Sequence, residues 1–225
     1  SSSEPLEIVT LDEANNLEKK KKSKDLKTWH YKAENVRDFA WTACRRFIWD
    51  AMQVKNEDGK PVMCMSYYPR EAYPIYRRYS TKAVAHTLKT YSKFSIPYPY
   101  PTAISVEAQN GMEYPMMVND ASVGESGVTS LTVHEVSHTY FPFMMGVNEQ
   151  DYAWMDEGWA SFFDFLLADS LTGNKSNLRG YSFVAGTDSD VPPMTRSRFL
   201  SGGAYGNAAY GRPQNAYLTL LDLLG

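Results

Sequence analysis

Apolar and polar positions alternate in short runs along the first half of the chain, then fall into three- and four-residue spacings over much of the second. Alternation in "LEIVTL" and in parts of "TWHYKAENVRDFAW" predicts short strands. The charged stretch between them, Glu18 to Asp25, "EKKKKSKD", reads as a solvated hairpin tip. "FIWDAMQV" and "PVMCMSYY" flank Asn56-Glu57-Asp58-Gly59, where Asp-Gly signals a hairpin turn. From Glu71 to about Phe94 the period becomes helical, with Ile75, Val84, Ala85, Leu88 and Tyr91 on one side. Each proline of "SIPYPYP" disfavours helix at the residue before it, so this stretch is expected to be an extended connector. Strands are expected again at "TAISVEAQ" and "MEYPMMV", joined across Asn110-Gly111.

The remaining chain predicts three helices, about Val128 to Met145, about Ala153 to Leu171, and Pro213 to Leu224, with Pro213 suited to a first turn. "GNKSNLRGYSFVAGTDSDVPPM" between the last two is rich in loop formers. A strand-rich part, 1–124, followed by a helical part, 125–225, reads as a single α+β domain. The final helix carries an apolar face with no partner further along the chain, which gives the expectation of a piece of a longer polypeptide.

Composition narrows this little. At 225 residues the chain can bury a sizeable core, and 43% hydrophobic with 22% charged residues suits a globular domain. A net charge of −3 gives no general affinity for nucleic acid. No apolar run approaches the roughly 18 residues of a membrane span, and Ser1-Ser2-Ser3-Glu4 lacks a signal-peptide pattern. Cys44 and Cys64 lack metal-type spacing, and stand as one bridge or two free thiols. The 16 tyrosines suit either the walls of a cleft or the edge of a core. The compartment stays open.

The chemistry concentrates in "LTVHEVSHTY", residues 131–140. Residues four apart on a helix share a face, so His134 and His138 can direct two imidazole nitrogens at one ion. Glu135, one step round the helix, can act as a general base on a water at that ion. A third ligand must come from elsewhere, and Glu149, Asp151, Asp156, Glu157, Asp164 and Asp169 are available downstream. "WMDEGWASFFDFLL" is apolar except for Asp156, Glu157 and Asp164, and a buried carboxylate is costly unless it meets a cation. Gly158 removes a side chain beside Glu157 and permits a close helix approach. Glu157 is therefore expected as the third ligand, with Asp156 as a partner that orients the site.

His-Glu-x-x-His, 18 residues, then Glu, with "WMDEG" around that Glu, resembles the zinc signature of the gluzincin aminopeptidases related to aminopeptidase N and leukotriene hydrolase. The family usually has Asn where this chain has Asp156, and Trp-Phe-Gly-Asn where it reads Thr139-Tyr140-Phe141-Pro142. Its Gly-x-Met-Glu-Asn element, whose Glu binds the substrate's amino terminus, is similar to Asn110-Gly111-Met112-Glu113-Tyr114, which differs at both flanks. Its catalytic Tyr, in Tyr-x-Lys-Gly, resembles Tyr210-Gly211-Arg212-Pro213, with Tyr205 as the alternative.

The resemblance implies a thermolysin-like two-lobed zinc peptidase domain with one Zn2+ per chain, held by His134, His138 and Glu157. It implies Glu135 and Tyr210 as catalytic residues, Met112 and Glu113 as substrate-binding ones, and a peptide with a free N-terminus as substrate. It also implies further domains on either side of this one in the whole polypeptide. An endopeptidase on the same site, or a peptidase-like interaction domain without catalysis, are the rival readings.

Overall fold

The Asp58-Gly59 turn forms as its residues dictate. Gly59 adopts φ +85°, a left-handed conformation that costs a glycine little, and Gly59 N–H closes the turn on Asn56 O at 2.9 Å. The computed structural model describes residues 3–16, 26–121, 124–172 and 185–224. Within them, β1 (Leu6–Val9), β2 (Ile48–Lys55), β3 (Pro61–Tyr68), β4 (Thr102–Ala108), β5 (Met112–Tyr114) and β6 (Met117–Ala121) form one mixed sheet in the order β1-β2-β3-β4-β6-β5. β2 and β3 pair antiparallel from Ile48 opposite Tyr68 to Lys55 opposite Pro61. β3 and β4 are parallel, and the 22-residue helix α2 (Tyr73–Phe94) makes the crossover that a parallel pair needs. Between β1 and β2 lies one turn of helix, α1 (Leu11–Asn15), begun by a capping box in which Thr10 and Glu13 satisfy each other's backbone N–H groups.

Three sequence expectations fail here, each for a tertiary reason. "TWHYKAENVRDFAW" forms no strand, and its Trp29 and Trp41 stay exposed at 71% and 66%. Alternation alone cannot make a strand without a neighbour to complete the ladder. Asn110-Gly111 does not join a hairpin: β4 runs parallel to β6, and β5 folds back on β6 through Pro115 and Met116, the latter at φ +64°. The single helix expected from Val128 to Met145 is two, α3 (Glu125–Ser137) and α4 (Phe141–Met145). Pro142 has no N–H to give and its ring displaces the carbonyl four residues back, so the chain leaves the helix at Thr139–Tyr140 and restarts.

The helix expected from about Ala153 to Leu171 starts as a 3-10 turn, Ala153–Met155, before α5 (Glu157–Thr172). A short α6 (Gly202–Gly206) and a π-helical turn, Asn207–Gly211, lead into α7 (Arg212–Leu224). The Glu18–Asp25 stretch lies outside the described residues, as does part of the loop after α5. Cys44 is exposed and Cys64 buried, both free thiols. Among the described residues no helix is long and apolar enough to cross a membrane.

Packing puts α3 between the sheet and α5. Val133, Val136 and Tyr140 join Val84, Leu88 and Tyr91 of α2 and Phe162, Phe163 and Leu167 of α5 in the main core. Tyr91 stacks on Tyr140 at 4.0 Å and on Phe163 at 3.7 Å, while Tyr140 Oη and Ser92 Oγ share a hydrogen bond at 3.0 Å. The "PYPYP" connector contributes Tyr98 to this core, with Tyr100 packed against it. On α7, Tyr217 and Leu218 pack against the core, while Leu220, Leu221, Leu223 and Leu224 are exposed.

One buried carboxylate is poorly compensated. Asp120 is wholly inaccessible; its Oδ2 accepts hydrogen bonds from Ser105 and Thr132, but Oδ1 finds no donor among the described residues. Burial pushes its pKa up to about 6, although Ser105, Thr132 and the nearby His134 pull the other way. Below about pH 4 the group is protonated in both folded and unfolded chains and contributes no pH dependence. From there to about pH 6 the folded chain keeps a proton that the unfolded chain has lost, so stability falls as pH rises, then levels off. A carboxyl held at about 6 instead of 3.8 costs the ionised folded state on the order of 3 kcal/mol. Asp120→Asn should therefore be more stable than the parent at neutral pH, with the advantage vanishing toward pH 4. Urea unfolding of both chains across this range checks it, and a pH-independent difference would contradict it.

Candidate metal centre

α3 lays its Val133 and Val136 into the core, which leaves His134 and His138 facing α5. His138 caps the helix while still in helical conformation (φ −57°, ψ −27°), so the four-residue spacing keeps its geometry despite the break that follows. The two Nε2 atoms stand 3.3 Å apart. Glu157, the first residue of α5, brings one carboxylate oxygen to 3.1 Å from His134 Nε2 and 3.3 Å from His138 Nε2. Two nitrogens and a carboxylate oxygen thus converge on one point, a donor set that suits zinc.

The outer nitrogens are held as well. His138 Nδ1 meets Asp156 Oδ1 at 2.6 Å, and His134 Nδ1 meets Asp164 Oδ2 at 2.8 Å. Each contact fixes its ring and turns Nε2 toward the shared point, as carboxylates behind metal-binding histidines do. Asp164 thus stands behind His134, whereas the sequence offers it only as an alternative ligand. Its position seven residues after Glu157, two turns along the same helical face, is the signal that would have found it.

Electrostatics favour a cation at this point. Burial opposes charge on His134, yet hydrogen bonds with Asp164 and Glu157 win and hold its pKa up at about 10. His138 is likewise raised, with Asp156 and Glu157 overcoming burial. Burial alone would raise Glu157, but hydrogen bonds from both imidazoles keep it well below the usual carboxylate range. A pocket that draws protons onto two adjoining imidazoles is one whose negative charge a divalent ion can neutralise.

Glu135 is buried and lies one residue round α3 from the ligand row. Burial pushes its pKa up to about 8, against the pull of His134 and His138. The room it occupies depends on Gly111, where a Cβ would overlap the Glu135 carboxylate and press on Leu131 Cδ1 at 3.1 Å. Gly111 thus clears space for Glu135, a role hidden by its resemblance to a turn residue.

Glu113, on the edge strand β5, comes within 4.8 Å of His138 and Asp156 donor atoms, and burial followed by the Asp156 charge raises its pKa despite His138. Met112 is 38% exposed and, by strand alternation, on the opposite face of β5 from Glu113. Tyr210 sits in the π-helical turn with its ring 6.1 Å from that of His134 and its hydroxyl hydrogen-bonded to Glu157. Tyr205 packs edge-on to Tyr210 at 6.2 Å and senses Glu157, Asp156 and Glu113. Gly158 lets this turn approach α5, since a Cβ there would fall 2.6 Å from Pro213 Cβ and 3.3 Å from Ala209 O. His134, Glu135, His138, Glu157, Asp156, Glu113 and Tyr210 therefore surround one centre, while Met112 stands off it.

No family model matches the chain. Solved structures do. Aminopeptidase A of Legionella pneumophila, in complex with aspartic acid, superposes with a TM-score of 0.62 at 12% identity, covering 80% of this chain and 23% of that one. An M1 zinc metallopeptidase from Deinococcus radiodurans gives 0.54 at 15% identity over 76% of this chain and 44% of that one. A variant of the Deinococcus protein bound to Tyr-Ser-Ala gives 0.53 at 14%, over 74% and 38%. The α+β fold is thus that of M1 zinc peptidase structures, and the chain spans less than half of each of these solved chains.

Proposed function

We propose that this domain carries the catalytic centre of a zinc peptidase that removes N-terminal residues from peptides. The observation that carries the reading is the convergence of His134 Nε2, His138 Nε2 and the Glu157 carboxylate within 3.3 Å of one another, with Glu135 buried beside them. One Zn2+ held there would supply Lewis acidity and a water of lowered pKa. Glu135 takes the proton of the attacking water at its carboxylate and passes it to the leaving nitrogen. The Tyr210 hydroxyl donates to the oxygen on which negative charge develops. Glu113, half-buried beside Asp156, receives the substrate ammonium and places the first peptide bond at the centre.

Comparing peptides with free and N-acetylated termini tests the exopeptidase part. Free termini should be cleaved much faster, and Glu113→Ala should shrink the ratio. Equal rates on both in the parent would favour an endopeptidase, and no cleavage by the zinc-loaded protein in its full chain would favour the interaction domain. Tyr210→Phe should lower kcat by roughly 10² to 10³ with little change in KM. If that loss follows Tyr205→Phe instead, Tyr205 is the donor.

A further inference from the structure

Behind the metal centre, on the sheet side of α3, runs a line of buried hydroxyls that ends on Asp120. Thr81 Oγ1 of α2 donates to Ser66 Oγ of β3 at 2.8 Å, and Ser66 Oγ lies 2.8 Å from Ser80 Oγ. Ser80 in turn donates to Ser105 of β4 at 2.9 Å, and Ser105 donates to Asp120 Oδ2 in β6. The same oxygen takes the hydroxyl of Thr132 in α3 at 2.8 Å. All six side chains are at most 1% exposed. Among these contacts, only the Asp120–Thr132 bond reaches the helix that carries His134, Glu135 and His138.

Its place on that helix matters. At 3.6 residues per turn, Thr132 stands about 160° round α3 from His134 and about 120° from His138, on the side away from the ligand face. A bond that holds Thr132 against β6 therefore sets the rotation of α3 that aims both imidazoles at α5. It also sets the depth of the helix on the sheet, and with it the distance from His134 to Glu157. The surrounding Val128, Val133 and Val136 pack without direction, and would tolerate a helix rotated or shifted slightly. A hydrogen bond to a charged, immobile acceptor would not. The chain keeps this acceptor although its second oxygen has no donor among the described residues, a burial that is expensive if it serves packing alone.

We propose that Asp120 and Thr132 are positioning residues of the metal centre, a tether from β6 that orients the ligand-bearing face of α3. The proposal rests on the zinc reading above, so its test uses the metal and not peptide turnover. Thr132→Val, Thr132→Ser, Asp120→Asn and Ser66→Ala would each be compared with the parent for zinc dissociation constant, for the visible d–d spectrum of the cobalt(II)-loaded chain, and for Tm. Thr132→Val should weaken zinc by about 10- to 100-fold and alter the cobalt spectrum, the size expected when a group that orients a ligand is lost. Thr132→Ser, which keeps the hydroxyl, should restore both. Asp120→Asn, which keeps an acceptor, should hold the parent spectrum, and Ser66→Ala, three hydrogen bonds along the line from Asp120, should lower Tm alone.

Unchanged zinc affinity and spectrum in a folded Thr132→Val would overturn the proposal, as would a metal effect of Ser66→Ala equal to that of Thr132→Val. If Thr132→Val does not fold, Thr132→Ala or Asp120→Ala takes its place: unchanged zinc affinity and cobalt spectrum in either folded variant overturns the proposal, and weakened zinc with an altered spectrum upholds it. A parent that binds neither metal would refute the zinc reading instead.

Discussion

Glutamine in place of Glu135 should leave zinc in the chain and lower kcat by about 10² to 10⁴, the range a positioned general base supplies. Glu135 is not one of the three converging donors, so its loss removes no ligand. The amide has nearly the volume of the carboxylate and fits the space that Gly111 leaves open. What the amide cannot do is accept a proton. Burial has pushed the Glu135 pKa up to about 8, and so made this carboxylate a stronger base than an exposed one. Zinc content by metal analysis and kcat on a free-amine peptide, measured on the same preparation, make the check. Undiminished turnover in the glutamine variant would remove Glu135 from the mechanism.

Glu157→Ala should abolish both the metal and the activity. The carboxylate is the sole group within reach of both Nε2 atoms among the described residues that offers a negative charge from α5 to each. Without it, the ion would have two imidazoles from a single helix, too few for a stable tetrahedral site. Thermal unfolding with and without zinc gives a readout independent of catalysis. At free zinc 100-fold above its Kd, the parent should gain about 2.7 kcal/mol of stability, and the alanine variant none. Retained zinc at parent affinity would transfer the ligand role to Asp156 or Asp164, the two carboxylates already against the histidines.

Much of this centre was legible because its parts are local. His134, Glu135 and His138 occupy one helical turn, and helix geometry alone relates them. Glu157 was legible because a carboxylate in an otherwise apolar helix needs a reason to be there. The groups that were misread or missed depend on contacts between distant segments. Asp164 reaches His134 across 30 residues, Thr132 reaches Asp120 across 12, and Gly111 clears room for a glutamate 24 residues on. No spacing rule relates such pairs, since the fold alone brings them together.

The same division holds for the elements. The β2–β3 hairpin, α2 and the proline-rich connector followed from the sequence by itself, because turn chemistry, helical period and proline sterics act over a few residues and nothing in the fold opposed them. The break at Pro142 is equally local, but the apolar period that runs through it masks it in the sequence. Whether residues 28–41 became a strand, and whether β4 turned back on β5 or ran beside β6, was decided only by tertiary structure. A strand exists through hydrogen bonds to a neighbour, and which neighbour is free depends on the rest of the sheet. So the sequence by itself determined that His134, Glu135 and His138 share one turn of α3 and that Glu157 stands at the head of a second helix, α5. The tertiary structure decided how α3, α5 and β5 meet, and hence that these side chains converge on one point.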